Sequence, residues 1–285
     1  MVNPEDLPTV EVTKTDKAEE KPTASIPEED TATKLGGFTV QKVSERMDWA
    51  KLLIYGVPGA GKTYLAGQAA EVERMSPVLF IDIEGGTKTI RKLHPNVDVV
   101  RVQNVYDKQG RLRASAWKKL QDVYEDLRKG VDYQTVVVDS LTEAAKVSMY
   151  SVLEEAVKTT TNRDRDPDVP EMRDWGKSGE QIRRFVRAFR DLNCHVIFTA
   201  LSSEDKDPQS GSVTVKPALA GKLKDEIPAY LDEVLYLYVK ADNKGVERKI
   251  LTEPTGKYIA KDRSGSLPTT MSDPTMAKLA EAILD

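Results

Sequence analysis

Apolar residues in the 285-residue chain fall into short continuous runs, and longer amphipathic segments lie between them. Continuous runs are typical of strands that are buried on both faces of a parallel sheet, whereas alternation would indicate a half-buried strand. The clearest helical period covers Ser178 to Leu192. The predicted strands are Lys51 to Tyr55, Val78 to Ile83, Val99 to Val102, Thr135 to Asp139, His195 to Ala200, Glu233 to Val239 and Arg248 to Thr252. This alternation predicts a doubly wound α/β domain with a mostly parallel sheet flanked by helices.

The first 35 residues have a different composition. They contain four prolines and no aromatic residue, and nine of the 46 acidic residues lie here beside four of the 42 lysines and arginines. Such a segment cannot bury enough apolar surface to offset the entropy of ordering. We therefore expect a disordered acidic tail at residues 1–35 and a folded domain at residues 36–285. The tail would be an arm for a partner protein, a mimic of nucleic acid or a solubilising leader.

Cysteine and histidine are too scarce to form an internal disulfide or a cluster of histidine and cysteine metal ligands. Cys194 is the only cysteine, and the only histidines, His94 and His195, lie far apart in the sequence. The start of the chain lacks the basic and apolar regions of a secretory signal, and no stretch approaches the roughly 20 apolar residues of a membrane span. These features predict an intracellular, cytoplasmic protein without a membrane partner.

A complete phosphate-binding motif, G-x-x-x-x-G-K-[ST], directly follows the first predicted strand. Small residues at this spacing let successive backbone N–H groups curl around a β-phosphate at the start of the next helix. Lys62 is expected to reach the β- and γ-phosphates, and the Thr63 hydroxyl is expected to bind Mg²⁺. The candidate nucleotide-binding residues are Gly56, Val57, Pro58, Gly59, Ala60, Gly61, Lys62, Thr63 and Tyr64. The motif thus predicts ATP and Mg²⁺ as cofactors.

Two predicted strands end in carboxylates that could serve the same site. Three valines before Asp139 indicate a Walker B strand, whose aspartate is expected to hold the Mg²⁺ shell through water. An AAA+ motor has its catalytic glutamate immediately after this aspartate, at the position of Ser140 here. The hydrolytic carboxylate is therefore expected on the neighbouring strand, where Glu84 could orient the attacking water. Asp82 would share a face with Glu84 and lie nearer the magnesium, although both could instead cap the following helix.

Together these motifs resemble the core of RecA-type ATPases. The resemblance rests on the phosphate loop, the Ile-Asp-x-Glu strand after it, a Walker B strand ending in Asp-Ser and a later strand ending in Thr199-Ala200. Residues from Gly36 to Leu284, without a RecA-like N-terminal helix domain, resemble phage-encoded RecA-like proteins of the Sak type, which act in single-strand annealing and recombination. The resemblance implies a RecA-like P-loop fold. It also implies that Glu84 is the catalytic carboxylate and Asp139 the Walker B acid.

A late element at residues 261–265 is similar to the K-x-R-x-G element of the RadA branch. The resemblance implies that Lys261 and Arg263 stabilise charge on the γ-phosphate of a neighbouring protomer. Hydrolysis would then require a homo-oligomer, either a ring or a filament. The alternative is that Lys261 and Arg263 are two exposed bases in a surface turn.

Binding to single-stranded DNA is implied by the resemblance more than by the residues. Leu201 replaces a glutamine that senses the γ-phosphate in RecA proteins, so coupling of ATP to DNA would need a substitute at residues 202–204. The segments Lys158 to Trp175 and Ser202 to Lys216 are long and polar, which predicts mobile surface loops. Trp175 could stack on a base or pack under its loop. Four arginines on the helix that follows could form a track for a DNA strand or simply its solvated face.

The function that these features indicate is ATP hydrolysis by a RecA-like protein that assembles on single-stranded DNA in recombination or strand annealing. A small P-loop kinase is one alternative, and it would phosphorylate an added acceptor as a monomer. An ATP-gated DNA-binding module with negligible hydrolysis is another. The module would keep annealing activity after Glu84→Ala but lose it after Lys62→Ala.

Overall fold

The computed structural model describes residues 34–39, 49–109, 112–130, 132–158, 166, 168–242 and 245–285. The chain divides into two units, residues 1–47 and 48–285. The described part of the first unit is an antiparallel hairpin of β1 (Lys34–Leu35) and β2 (Phe38–Thr39). The predicted acidic tail lies outside the described residues apart from its last two positions, so the tail and the domain boundary stay predictions.

The second unit alternates strands and helices. Its strands are β3 (Lys51–Gly56), β4 (Val78–Asp82), β5 (Asp98–Arg101), β6 (Val105–Tyr106), β7 (Leu112–Ala114), β8 (Thr135–Asp139), β9 (His195–Lys206), β10 (Val213–Pro217), β11 (Glu233–Asp242), β12 (Gly245–Leu251), β13 (Lys261–Asp262) and β14 (Thr270–Ser272). Its α-helices are α1 (Lys62–Gly67), α2 (Ala116–Arg128), α3 (Leu141–Lys158), α4 (Met172–Arg190), α5 (Leu223–Tyr230) and α6 (Met276–Leu284). Short 3₁₀ helices lie at Gln68–Glu71, Glu73–Met75 and Gly86–Thr89. None of the helices in the described ranges combines the length and apolar character that a membrane span requires.

One mixed sheet organises the second unit. Its strand order is β14-β12-β11-β3-β9-β8-β4-β5, with β10 paired to β9 and β13 paired to β11. The strands from β11 to β5 in this order are parallel to one another. The strands β10, β12, β13 and β14 pair antiparallel with their neighbours. The prediction of a mostly parallel α/β sheet flanked by helices is therefore confirmed.

Helices cover both faces of the sheet. Along β3, Leu53 and Tyr55 pack in a core cluster with α2, α3 and α4, whereas Leu52 and Ile54 pack in a second cluster with α1 and α6. All four side chains are at most 1% exposed. Burial on both faces explains why this run is continuous rather than alternating. It also fixes the end of β3, from which the phosphate loop begins.

The segment Ser202 to Lys216 is not the mobile loop that the sequence predicts. It forms the outer half of β9 and most of β10, with Ser203 opposite Lys216 in the ladder. The inner half of β9 is buried, and the outer half is half-buried or exposed. The prediction was wrong because polar residues here mark a two-stranded ribbon beyond the core, and a ladder of backbone hydrogen bonds does not need apolar side chains.

Helix α4 begins earlier than its apolar period predicts, at Met172 rather than Ser178. A capping box starts it: Glu171 and Asp174 each accept a hydrogen bond from the backbone of the other. Trp175 is therefore a helix residue and not a loop residue. Residues 159–165 and 167 of the predicted Lys158 to Trp175 loop lie outside the described residues.

Candidate nucleotide-binding site

Glycines shape the loop between β3 and α1. Gly56 is so close to β11 that a Cβ atom there would lie 2.1 Å from the Leu237 carbonyl oxygen. Gly59 and Gly61 have φ angles of 79° and 107°, in the left-handed region that residues with side chains avoid. Helix α1 begins immediately after the loop, at Lys62. The loop therefore has the backbone that the phosphate-binding motif requires.

Lys62 lies across this loop. Its side chain is buried, and its Nζ donates hydrogen bonds to the carbonyl oxygens of Gly56 and Val57, both at 3.0 Å. Burial lowers the pKa of Lys62, while the carboxylates of Glu84 and Asp139 act in the opposite direction. An ammonium group has three protons, so one remains available to a phosphate oxygen. The geometry fits the expected role of Lys62 as a phosphate contact.

Asp139 is the centre of a buried hydrogen-bond network at the end of β8. Its Oδ2 accepts a hydrogen bond from the Thr63 hydroxyl at 2.9 Å, and its Oδ1 accepts one from the Thr199 hydroxyl. Burial raises the pKa of this carboxyl group, and the two hydroxyl donors oppose that shift. Within the described ranges, no group of three or more acids, histidines or cysteines could hold a metal ion. The adjacent hydroxyl of Thr63 and carboxylate of Asp139 are oxygen ligands that suit a Mg²⁺ ion, which commonly takes its other ligands from phosphate and water.

Gly86 keeps space open in front of this pair. A Cβ atom on Gly86 would lie 3.1 Å from Asp139 Oδ2 and 3.4 Å from Thr63 Oγ1. Any side chain at this position would therefore crowd the two oxygens that are expected to hold the magnesium. The sequence shows two glycines after Glu84, but only the fold brings the second of them to the Walker B aspartate.

We expect Gly86→Ala to weaken the apparent Mg²⁺ affinity of ATP turnover about tenfold, because the added methyl group is tight against Asp139 Oδ2 and should shift this carboxylate. The measurement is ATP turnover as a function of magnesium concentration. Gly256→Ala is the matched control, since a Cβ atom there has no neighbour within 4 Å. An unchanged magnesium dependence in the Gly86 variant would contradict the assignment of this space to the metal.

Asp82 holds the turn that follows β4. Its Oδ1 accepts hydrogen bonds from the backbone N–H groups of Gly85 and Gly86 at 2.6 and 3.2 Å, and its Oδ2 accepts one from the Thr87 hydroxyl at 2.7 Å. The strand ends at Asp82, so the alternation expected to place Asp82 and Glu84 on one face does not continue to Glu84. Both carboxylate oxygens of Asp82 are engaged by the turn. A contact between Asp82 and magnesium stays a prediction that this geometry does not favour.

Glu84 lies on the same turn with an exposed side chain. Its backbone N–H donates to the Asp139 carbonyl oxygen at 3.2 Å, beside a similar bond from Ile83 at 2.8 Å. These bonds anchor the turn to the end of the Walker B strand. The charge of Glu84 also acts on both Lys62 and Asp139. Glu84 is therefore close to the phosphate loop without being part of its framework, which suits the expected role of orienting water.

Lys261 and Arg263 lie at the opposite edge of the sheet from the phosphate loop. Strand β13 pairs with the start of β11, whereas the loop follows the end of the parallel neighbour β3. Lys261 Nζ donates to the Leu231 carbonyl oxygen at 2.5 Å, and Arg263 forms an ion pair with Asp232. Within one subunit both bases are remote from the nucleotide site. Their expected role at a γ-phosphate thus requires a second subunit.

Glu233, at the start of β11, is a buried acid beside this basic pair. It is 1% exposed and accepts hydrogen bonds from the backbone N–H groups of Arg263 and Ser264. Burial, together with a hydrogen bond to Asp262, raises the pKa of Glu233 to about 8. The charged groups that face it are Asp232, Lys261, Asp262 and Arg263. Between about pH 4.5 and pH 8 we therefore expect the folded protein to bind a proton on Glu233 that the unfolded chain has released.

We expect the free energy of unfolding to fall by roughly 2 kcal/mol as the pH rises from about 6.5 to about 8. Because the folded pKa of Glu233 is above its ordinary value of 4.5, its stabilising contribution is complete below that value and is lost as the pH approaches 8. Burial lowers the pKa of His195 to about 4 and that of Lys51 to about 8, so these groups act mainly below and above this interval.

Urea unfolding across this pH interval checks the expectation. The variant Glu233→Gln should lose most of the pH dependence, because the amide keeps the shape of the side chain without titrating. The control Glu281→Gln, at an exposed position on α6, should keep it. If the free energy of unfolding of Glu233→Gln still falls with rising pH, another group is responsible for the pH dependence.

Two further threonines belong to the site, although the sequence alone assigns neither of them a role in it. Thr199 is completely buried within an apolar strand and donates to Asp139. Thr142, on the first turn of α3, accepts a hydrogen bond from the Leu201 backbone N–H at 3.0 Å. A polar residue within an apolar run was the available signal for Thr199. No local signal identifies Thr142, because its partner lies on strand β9, 59 positions away in the sequence.

Comparison with known proteins identifies a matching family and two proteins of similar structure. A family model described as an AAA domain matches residues 49–264. The flagellar accessory protein FlaH from Methanocaldococcus jannaschii is similar in structure, with 11% identity, a TM-score of 0.41 and coverage of 78% of this chain and 83% of that one. The KaiC-like protein PH0186 from Pyrococcus horikoshii has 16% identity, a TM-score of 0.40 and coverage of 71% and 78%. The search of curated proteins gave no match.

The matched region contains every residue of the site described above. It starts before β3 and extends to residue 264, and so includes the phosphate loop, the Glu84 turn, Asp139 and Arg263. The match to the AAA domain model extends over most of this chain. The chain therefore belongs to the AAA domain family and is a P-loop ATPase.

Proposed function

We propose that the protein hydrolyses ATP as a RecA-like subunit that assembles on single-stranded DNA and acts in recombination or strand annealing, in the manner of the phage Sak-type proteins. The phosphate loop and Lys62 bind the triphosphate, and Thr63 and Asp139 hold Mg²⁺. The bound ion neutralises charge on the phosphates. Glu84 orients the attacking water, and Lys261 and Arg263 of a neighbouring subunit complete the site.

An apolar groove beside the nucleotide site is the observation that supports DNA binding. It has a volume of about 780 Å³ and lies between α3, the start of α4 and residues 218–223. Three large side chains on its wall, Tyr150, Met172 and Trp175, are 56%, 88% and 47% exposed. An exposed apolar surface of this kind marks a binding site. Aromatic rings also stack on nucleic-acid bases without sequence preference, which suits a single-strand annealing factor.

Helix α3 connects this groove to the nucleotide site. It begins at Leu141, directly after the Asp139-Ser140 pair at the end of β8. Thr142 both lines the groove and holds the backbone of Leu201 on β9. A displacement of Asp139 on ATP binding would therefore move one wall of the groove. This route does not need the glutamine that RecA proteins have at the position of Leu201.

The basic face of α4 gives less support to DNA binding than the sequence suggested. The four arginines predicted to form this face all have partners in the same chain: Arg183 with Glu226, Arg184 with Glu180, Arg190 with Asp191, and Arg187 with the hydroxyl and ring of Tyr230. Most of this positive charge is therefore compensated. The groove is the better candidate for the path of a DNA strand.

The test is ATP turnover without DNA, with single-stranded DNA and with duplex DNA, across a range of protein concentrations. Lys62→Ala is the blank. Stimulation by single strands that rises steeply with protein concentration would support the proposal. A rate that is linear in protein and indifferent to DNA would overturn it in favour of a kinase, and no turnover at all would favour an ATP-gated binding module.

The groove itself is tested by Trp175→Ala. We expect this variant to bind single-stranded DNA about tenfold more weakly, because stacking on one aromatic ring contributes on the order of 1–3 kcal/mol. Tyr106→Ala is the matched control, since Tyr106 is an aromatic residue of similar exposure that does not line the groove. Equal DNA affinity of the two variants would place the strand elsewhere.

A further inference from the structure

Arg248, on β12, lies directly against the phosphate loop. Its Nε donates a hydrogen bond to the Ala60 carbonyl oxygen at 3.2 Å. The same nitrogen lies 3.2 Å from the position that a Cβ atom on Gly61 would take. Arg248 and Ala60 are 188 positions apart in the sequence. No nucleotide-binding motif therefore includes this arginine, and only the pairing of β12 with β11 brings it to the loop.

The guanidinium group of Arg248 is held in place but is not neutralised. Within the described part of the chain Arg248 forms no ion pair, whereas its neighbour Lys249 pairs with Glu247 at 3.0 Å. Its backbone is fixed on both sides, by Val239 in the β11 ladder and by a hydrogen bond from Asp273 N at 2.8 Å. The charge is thus exposed at the loop on a rigid strand, so little conformational entropy is lost when it binds an anion.

The position of Arg248 indicates which part of a bound nucleotide it would contact. Only one of the five guanidinium donors is used on Ala60, and the others suit the geometry of phosphate oxygens. The backbone of a phosphate loop surrounds the α- and β-phosphates, whereas the motif lysine reaches the β- and γ-phosphates. Arg248 contacts the loop at Ala60 and Gly61, before Lys62. The part of the loop that it contacts is therefore the part expected to surround the diphosphate that ATP and ADP share.

We propose that Arg248 is a nucleotide-binding residue of this chain, which contacts the α- and β-phosphates of ATP or ADP bound in the same subunit. The inference rests on the proposed nucleotide site and adds a cation that the sequence motif lacks. It differs from the role proposed for Lys261 and Arg263, which act on the γ-phosphate of a neighbouring subunit.

Binding of fluorescent methylanthraniloyl-ATP and -ADP to the full chain tests the proposal. We expect Arg248→Ala to weaken the binding of both nucleotides by the same factor, about tenfold or more, because a charge-assisted hydrogen bond to phosphate is lost. Arg248→Gln distinguishes a contact with the nucleotide from support of the phosphate loop, because its amide can still donate a hydrogen bond to Ala60 but has no charge. The glutamine variant should therefore bind as weakly as the alanine variant. Lys249→Ala is the matched control, because it removes a base from the next position of the same strand.

The outcomes distinguish a failure of the proposed nucleotide site from a failure of the role proposed for Arg248. If the wild-type protein binds neither nucleotide, the proposed nucleotide site itself fails. If Lys62→Ala loses binding while Arg248→Ala stays within about twofold of wild type, only the Arg248 inference is overturned. Wild-type affinity in Arg248→Gln, or a loss for ATP but not for ADP, also overturns it. Melting temperatures without nucleotide check folding, and Arg248→Gln and Arg248→Lys carry the test if the alanine variant does not fold.

Discussion

Lys62→Ala is expected to lower ATP affinity by at least about 100-fold and to abolish turnover, since the variant removes a charged donor aimed at the phosphates. Lys62 spans the loop through hydrogen bonds to the carbonyl oxygens of Gly56 and Val57, which hold its ammonium group at the expected phosphate site. Isothermal titration with ATP and a steady-state turnover assay measure the two effects.

This loss should not come from unfolding. Burial lowers the pKa of Lys62, which is the direction expected when a charged group loses hydration in the folded chain. Removing the charge should leave the melting temperature without nucleotide unchanged or slightly higher. Lys118→Ala, on the exposed side of α2, is the control for the loss of one lysine. ATP binding of near wild-type strength in the Lys62 variant would contradict the assignment of the loop as the nucleotide site.

Glu84→Gln is expected to reduce ATP turnover by about 10²- to 10⁴-fold while ATP affinity remains close to that of the wild type. The physical reason is that Glu84 is exposed and contributes only its backbone to the framework of the site. Loss of its negative charge would remove the group that we expect to orient water but would leave the loop and Asp139 intact. Turnover and equilibrium ATP binding, measured on the same preparations, separate these two effects.

Asp82→Asn provides the contrasting variant on the same turn. The carboxylate of Asp82 accepts three hydrogen bonds from residues 85–87, so its loss should loosen the turn that carries Glu84 and Gly86. We expect Asp82→Asn to lower both the stability of the fold and the apparent Mg²⁺ affinity of ATP turnover. Glu84→Gln, in contrast, should lower only turnover. Normal turnover in Glu84→Gln, combined with a stable but inactive Asp82→Asn, would reverse the two assignments.

The parts of the site that could be predicted are those encoded by neighbouring residues. The phosphate loop is one continuous motif after a buried strand, and the valines before Asp139 indicate a strand that ends at the same edge of the sheet. Both positions depend on local spacing and on the general rule that parallel strands share an edge. The same rule correctly suggested that the Glu84 turn lies close to Asp139.

The rest depends on contacts between distant segments. Gly86 matters because a Cβ there would meet Asp139, and Arg248 matters because β12 passes the phosphate loop. The role of Asp82 depends on where β4 ends, which the apolar run alone did not fix. The outer half of β9 was missed because its polar residues pair with β10 rather than pack in the core. None of these contacts leaves a periodic signal in the sequence.

The location of Lys261 and Arg263 at the edge of the sheet opposite the phosphate loop gives each subunit a front and a back. If neighbouring subunits complete one another's sites, the front of one subunit must meet the back of the next. An antiparallel two-fold dimer can do this, because residue i of each subunit then contacts residue j of the other, and so can a closed ring or an open chain. A closed ring would then have as many complete sites as subunits, whereas an open chain would always have one fewer. Short open chains would therefore hydrolyse less ATP per subunit than long ones, and rings would show no such dependence on length.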